Sequence, residues 1–400
     1  MKYQKFFFIC SLVAFFGCCR EPFINQNVEN SNVDSLSLEL VWEKPLDPNF
    51  QKIRIYPYAV AENIIHNYDF GLNQILIYRN GKTGDEIKRI TFNDIIYPSN
   101  ATVYNDKLFY CSIRSMVMLE PRAGIFNYLY VTPEKRLMNE RFKLYNDVVI
   151  TNENTYQVGD SLERLISTNL TTGKSKTLYA AKTNSSKDYF FSNPHIWIDE
   201  VGDTILTVGR ELISYASAPA NLLSYNISKN KILFDLTFVY GTENVYGDFI
   251  CYKNKIYLKK NVIGVTCLDG KTGKYIWSKT IYNSNIGGQE MFLMGEQLIV
   301  ISPAPYKKVV CFDTETGATL WTNDEVPYFK EDTKLILVNN IIYFGNEDYV
   351  YGIDYKTGVL LKKQRITNGQ NHLISNLSYS EKNKLFYAID SNFIKALRIK

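Results

Sequence analysis

The sequence predicts an all-β fold: an eight-bladed β-propeller of four-stranded antiparallel blades, closed by a blade shared between the two chain ends. Three observations carry this. A turn motif recurs every 40–57 residues, the composition favours strands, and the two termini look like halves of one repeat. Tyr 30 and Phe 23 against Met 6 is a strand-rich balance, since aromatic rings pack well on pleated surfaces. With 46% hydrophobic and 22% charged residues, the chain buries enough apolar surface to fold.

The clearest repeats are Cys267-Leu-Asp-Gly-Lys-Thr-Gly273-Lys-Tyr-Ile-Trp277 and Cys311-Phe-Asp-Thr-Glu-Thr-Gly317-Ala-Thr-Leu-Trp321. Gly352-Ile-Asp354-Tyr-Lys-Thr357-Gly358 is a third copy, and Asn80 to Gly84 a fourth. Weaker copies end at Gly124, Gly173 and Asn230, where Asn replaces Gly as the other residue tolerant of positive φ. In each strong copy an apolar strand leads into an acid (Asp269, Asp313, Asp354). The acid and a following Thr (Thr272, Thr316, Thr357) bond back to the turn backbone. Gly then adopts the left-handed conformation and the chain reverses. Trp277 and Trp321, four residues after the Gly, fall on the returning strand, where a large ring fills the gap between blades.

The ends complete the ring. Leu38 to Pro45 reads as a returning strand with Trp42 and no turn before it, and Phe393 to Ile399 reads as the strand that precedes such a turn. Joined, they form one blade and remove the exposed sheet edges. Seven internal turns and one split blade make eight; the two weakest turns leave seven open.

Residues 1–17 have a different grammar. Lys2 and Lys5 precede an apolar run from Phe6 to Phe16, too short to span a bilayer, and Gly17-Cys18 follows. This is the layout of a lipoprotein signal peptide with Cys18 as the lipidated residue and Cys19 as the fallback. Residues 18–37 form a polar tether, and residues 38–400 form the propeller. Cys267 and Cys311 occupy equivalent apolar positions and are expected as buried small hydrophobes.

The Asp-x-x-Thr-Gly-x-x-x-Trp signature at this interval resembles the pyrroloquinoline-quinone-like (PQQ-like) repeat of quinoprotein propellers, strongest over residues 250–360. Lipid-anchored single propellers of this length resemble the BamB-type lipoproteins of the outer-membrane β-barrel assembly machinery. That resemblance implies a non-catalytic cell-envelope scaffold for protein–protein interaction, held by its lipid at the outer membrane and facing the periplasm, with the assembly machinery as partner. The composition, rich in Tyr, Asn, Lys and Ile, also resembles Bacteroidota envelope proteins.

Two alternatives belong to other classes: a PQQ-dependent dehydrogenase, and a surface glycan-binding or sensor propeller. Dehydrogenases resembling this chain hold the quinone between a Trp floor and an adjacent-Cys disulfide beside bound Ca²⁺. Here the adjacent pair Cys18-Cys19 lies in the anchor, so no cofactor is expected and no catalytic or metal residue is assigned. Three scattered His and the absence of CxxC argue against a zinc site. A net charge of +4 with interleaved signs gives no nucleic-acid footprint. The long steps 124–173 and 173–230 are read as insertions, which places recognition loops at Arg136 to Asn146 and Ser185 to Trp197. Arg141, Tyr145, Tyr189 and Trp197 are the candidate partner-binding residues.

Overall fold

The second and third strands of the blades are buried on both faces, so each sheet must be covered on both sides. A radial arrangement does this, and it is the arrangement found. The computed structural model describes residues 37–400 apart from 49–55, 69–73, 93–100, 113–114, 133–135, 156–161, 183–188, 192–193, 213–219, 239–242, 245–248, 261, 284–288, 303–304, 327–332, 368–372 and 374–375. The signal segment 1–17, Cys18 and Cys19 lie outside the described residues.

Eight antiparallel sheets follow one another around an axis. Blade 1 spans 57–92, blade 2 102–131, blade 3 136–182, blade 4 189–238, blade 5 243–282, blade 6 290–323 and blade 7 336–365. Blade 6 shows the plan: Glu290–Met294, Gln297–Ile301, Val309–Asp313 and Thr319–Asn323 pair in sequence order from inside to outside. In blades 4 and 5 the innermost strand is in two pieces. Blade 8 joins Ser378–Ser380, Leu385–Ile389 and Phe393–Ile399 to the N-terminal strand Leu38–Pro45. That last pairing runs from Leu38 opposite Ile399 to Pro45 opposite Phe393, the closure expected from the sequence. All seven internal turns have positive φ, the weak ones included, so the ring has eight blades.

The core is not one ball. The buried apolar residues form eight clusters, one at each seam between blades. The seam between blades 5 and 6 packs Tyr257, Cys267, Leu298, Val310 and Phe312, and each such side chain contributes about 1.5–3 kcal/mol on burial. Cys111, Cys251, Cys267 and Cys311 are free, buried thiols. Burial pushes the Cys267 and Cys311 thiols up to about 12, so neither is a nucleophile.

The closing blade is also tied by polar contacts. Gln364 of blade 7 accepts the Leu38 N–H at 2.7 Å and donates to the Leu38 carbonyl at 2.6 Å. The buried Lys395 ammonium meets Glu43 and Asp390, each at 2.9 Å, and donates to the Ile366 carbonyl. Burial alone would lower its pKa; the hydrogen bonds to Glu43 and Asp390 outweigh this and raise it.

Candidate functional site

Antiparallel order divides the molecule into two rims. One carries the turns between first and second strands and between third and fourth; the other carries the remaining hairpins and the blade-to-blade connections. The turn rim is built of short, fully bonded reversals. Asn105-Asp106, Lys253-Asn254 and Asn339-Asn340 each have two positive-φ residues, the geometry of a tight hairpin turn. In blade 5 the Asp269 Oδ1 accepts the backbone N–H of Lys271 and Thr272 and the Thr272 hydroxyl at 2.7–3.1 Å, while Gly273 N–H bonds the Asp269 carbonyl. Asp313 with Thr316, and Asp354 with Thr357, repeat these bonds. One oxygen serves all three, which is why Asn169 does the same work in blade 3; in blade 1 Asn80 accepts the two backbone N–H groups and the Thr83 hydroxyl donates to Asp85 instead.

Three of these turns also receive an indole from the preceding blade. The Trp42, Trp277 and Trp321 rings lie on Gly84, Gly317 and Gly358, where an added Cβ would stand 2.3–2.6 Å from a ring carbon. Their Nε1–H groups donate to the carbonyls of Gly81, Thr314 and Tyr355 at 2.9, 3.4 and 3.0 Å. Cross-blade ion pairs edge the same rim. Glu62 meets Arg122 at 2.9 Å and also Lys382, and the Lys382 ammonium, ahead of Arg122 and Lys82, holds that carboxyl below the usual range. Lys255 pairs with Glu315 at 2.5 Å, and Lys271 lies 3.5 Å from Glu200. A rim whose charges are mutually neutralised presents no uniform field to a polyanion. The Lys400 N–H bonds the Ser37 carbonyl at 2.8 Å, so the strand Leu38–Pro45 begins at this rim.

The described parts of the expected recognition loops are strand, and residues 185–188 and 192–193 of the second lie outside the described residues. Arg136–Tyr145 is the innermost strand of blade 3, and Tyr189–Phe191 with His195–Ile198 is the innermost position of blade 4. The long repeat steps come partly from longer strands, eight to ten residues in blade 3, rather than from insertions at those places. Trp197 is 2% exposed, packs with Phe234, Phe249 and Ile256, and donates to the Thr207 hydroxyl at 3.1 Å. It is a core ring and no partner can reach it as the chain stands. Tyr145 is half-buried beside Leu165 and Leu223. Arg141 and Tyr189 lie on their strands, with side chains outside the described residues.

Sequence reasoning did not anticipate the polar residues buried at the connection-rim ends of the second strands. His66, Glu153, Lys259, Asn346 and Asp390 fall there in five blades. Two of them pair as follows: Arg79 Nε donates to His66 Nε2 at 3.0 Å, and Lys259 meets Glu290 at 2.9 Å. Burial, then Arg79 and Arg89, drives His66 down to about 3, so it is a neutral acceptor.

Over residues 202–383 the chain matches the family model described as outer membrane protein assembly factor BamB. The chain is an eight-bladed β-propeller, and over these residues its sequence is similar to the BamB family. The crystal structure of BamB from Moraxella catarrhalis matches with a TM-score of 0.54 at 13% identity, covering 90% of this chain and 100% of that one. The computationally designed Ika8 protein matches at 0.61 and 11%, covering 88% and 98%. Quinohemoprotein alcohol dehydrogenase from Comamonas testosteroni matches at 0.61 and 10%, covering 90% and 76%. At these identities the structural likeness is one of fold. No curated protein sequence matches the chain.

The described residues do not fit a quinone site of the PQQ-like type. Three of the four tryptophans staple seams and the fourth, Trp197, is locked between blades 4 and 5. The four described cysteines lie in different blades or on separate strands, none adjacent to another. Among the described residues no three His, Cys, Asp or Glu side chains converge as metal ligands.

Proposed function

We propose that this chain is a non-catalytic envelope lipoprotein whose propeller is a scaffold for protein–protein contacts in the assembly of outer-membrane proteins. One observation carries the reading: the match of residues 202–383 to the BamB family model, in a chain covering the whole of a BamB structure. In this reading Cys18 carries the lipid and the protein sits at the outer membrane facing the periplasm. It needs no cofactor, and envelope proteins of the β-barrel assembly machinery are its partners. Arg141, Tyr145 and Tyr189, on the inner strands of blades 3 and 4, are the proposed partner contacts.

The second reading, a PQQ-dependent dehydrogenase, is supported by the fold likeness to quinohemoprotein alcohol dehydrogenase. Among the described residues none supports it, and folds host many activities. Affinity isolation of the tagged full chain from detergent-solubilised membranes separates the two. Recovery of β-barrel assembly components supports the scaffold. Recovery of no envelope protein, together with saturable binding of PQQ, overturns it.

A further inference from the structure

Of the six turn glycines, one has no side chain of the preceding blade over it. Besides the three indoles, Lys88 lies against Gly124 and Leu236 against Gly273, so five turn glycines are covered by the preceding blade. Gly173 of blade 3 has φ +66° and no heavy atom within 4 Å of an added Cβ; Thr171 to Thr177 are all exposed. The reason is a displaced bulge in blade 2. In blades 5 and 6 the register shift directly follows the turn, which sets Trp277 opposite Cys267 and Trp321 opposite Cys311, facing the next blade. In blade 2 the shift comes later, between Met116 and Val117. Asn127 therefore opposes Met118, and Tyr128 opposes Val117 and turns back towards blade 1, 6.5 Å from Phe92. A one-residue difference in pairing exchanges the two faces. Asn127 stands where a tryptophan stands elsewhere, and leaves the notch open.

The rest of the docking site is present. The indoles donate to the carbonyl three residues before the glycine; here that is Leu170, whose carbonyl meets no donor among the described residues. Beside it runs the outer strand Ile125–Val131, with no charged residue, and its outer edge pairs with no described strand. Ile125, Tyr128 and Val131 are 52%, 56% and 58% exposed. Edge strands normally carry charge or cover against pairing, and this one has neither. We propose that the notch over Gly173 receives a tryptophan from an extended, uncharged segment of a partner protein, which adds as a strand along Ile125–Val131. An indole matches the glycine platform and the carbonyl acceptor. A neutral strand matches an edge on which any charge would be desolvated unpaired, and it continues the seam that the other blades close from within.

The proposal rests on the scaffold reading, yet its test is separate, because a peptide titration can fail while affinity isolation still recovers a partner. The probe is a fluorescein-labelled, amidated Thr-Val-Thr-Trp-Thr-Val-Thr peptide, titrated by anisotropy into the full chain, with hydrogen exchange as second readout. Expected are saturable binding and new protection confined to 125–131 and 169–177. A 1-methyltryptophan peptide, which lacks the N–H, binds about fivefold weaker. Asn127→Trp, which fills the notch from within, and Val131→Lys, which charges the edge, each weaken binding more than about tenfold; far-UV circular dichroism checks their folding. No binding at about 1 mM peptide, binding unchanged in both folded variants, or a self-association of the chain that Asn127→Trp abolishes overturns it.

Discussion

Replacing Trp321 by Ala removes a ring that is 7% exposed and lies across the turn of the next blade, with its N–H 3.0 Å from the Tyr355 carbonyl. A buried tryptophan withdraws about 150–250 Å² from water, worth about 4–6 kcal/mol at about 25 cal/mol/Å². Partial burial in the unfolded chain lowers that ceiling, and Trp→Ala changes in cores cost about 3–5 kcal/mol. The unpaired carbonyl adds about 1 kcal/mol. The expected loss is therefore about 4 kcal/mol. Unfolding entropy of about 2.1 cal/mol/K per residue, summed over the propeller, converts this to a fall in Tm of about 5 °C. Trp321→Phe keeps most of the area and loses the hydrogen bond, so about 1–2 kcal/mol is expected. Urea and thermal melts of the three chains measure both numbers. A loss below about 1 kcal/mol for Trp321→Ala, or equal losses for Phe and Ala, would refute seam stapling as the source of the motif's stability.

Other expectations follow from the same geometry. Gly317→Ala and Gly173→Ala share a left-handed backbone penalty, but only the first drives a Cβ to 2.6 Å from the Trp277 ring, so it should cost about 1–3 kcal/mol more in parallel melts. His66 stays neutral when folded, its pKa lowered to about 3 from 6.5. Between those values the unfolded chain binds more protons. The stability this group contributes is complete above pH 6.5 and falls as pH drops towards 3, about 2 kcal/mol by pH 5. His66→Gln keeps an acceptor for Arg79 and should show a flatter acid limb than the parent chain; equal slopes would refute the assignment. Removing the chain through Pro45 strips the strand from Phe393–Ile399 and takes Glu43 from Lys395. The exposed edge should associate, seen as higher oligomers by size-exclusion chromatography with light scattering.

What the sequence determined by itself is the repeat and everything local to it. Asp269, Thr272 and Gly273 bond within six residues of chain, so the turn is legible wherever those letters recur, and even Asn230 betrays its φ by residue type. The split blade was legible for the same reason, since each terminus carries half of a recognisable unit. Tertiary structure alone decided which face a residue meets. Tyr128 and Trp277 have the same spacing from their glycines, yet one turns to the previous blade and the other to the next, because a bulge elsewhere in the strand sets the register. Trp197 reads like a loop anchor in the sequence and is core because strand 195–198 pairs with Thr204–Leu212 and is covered by blade 5. Local bonds repeat with local sequence; pairing register and burial depend on residues tens of positions away, and they place the open notch at Gly173.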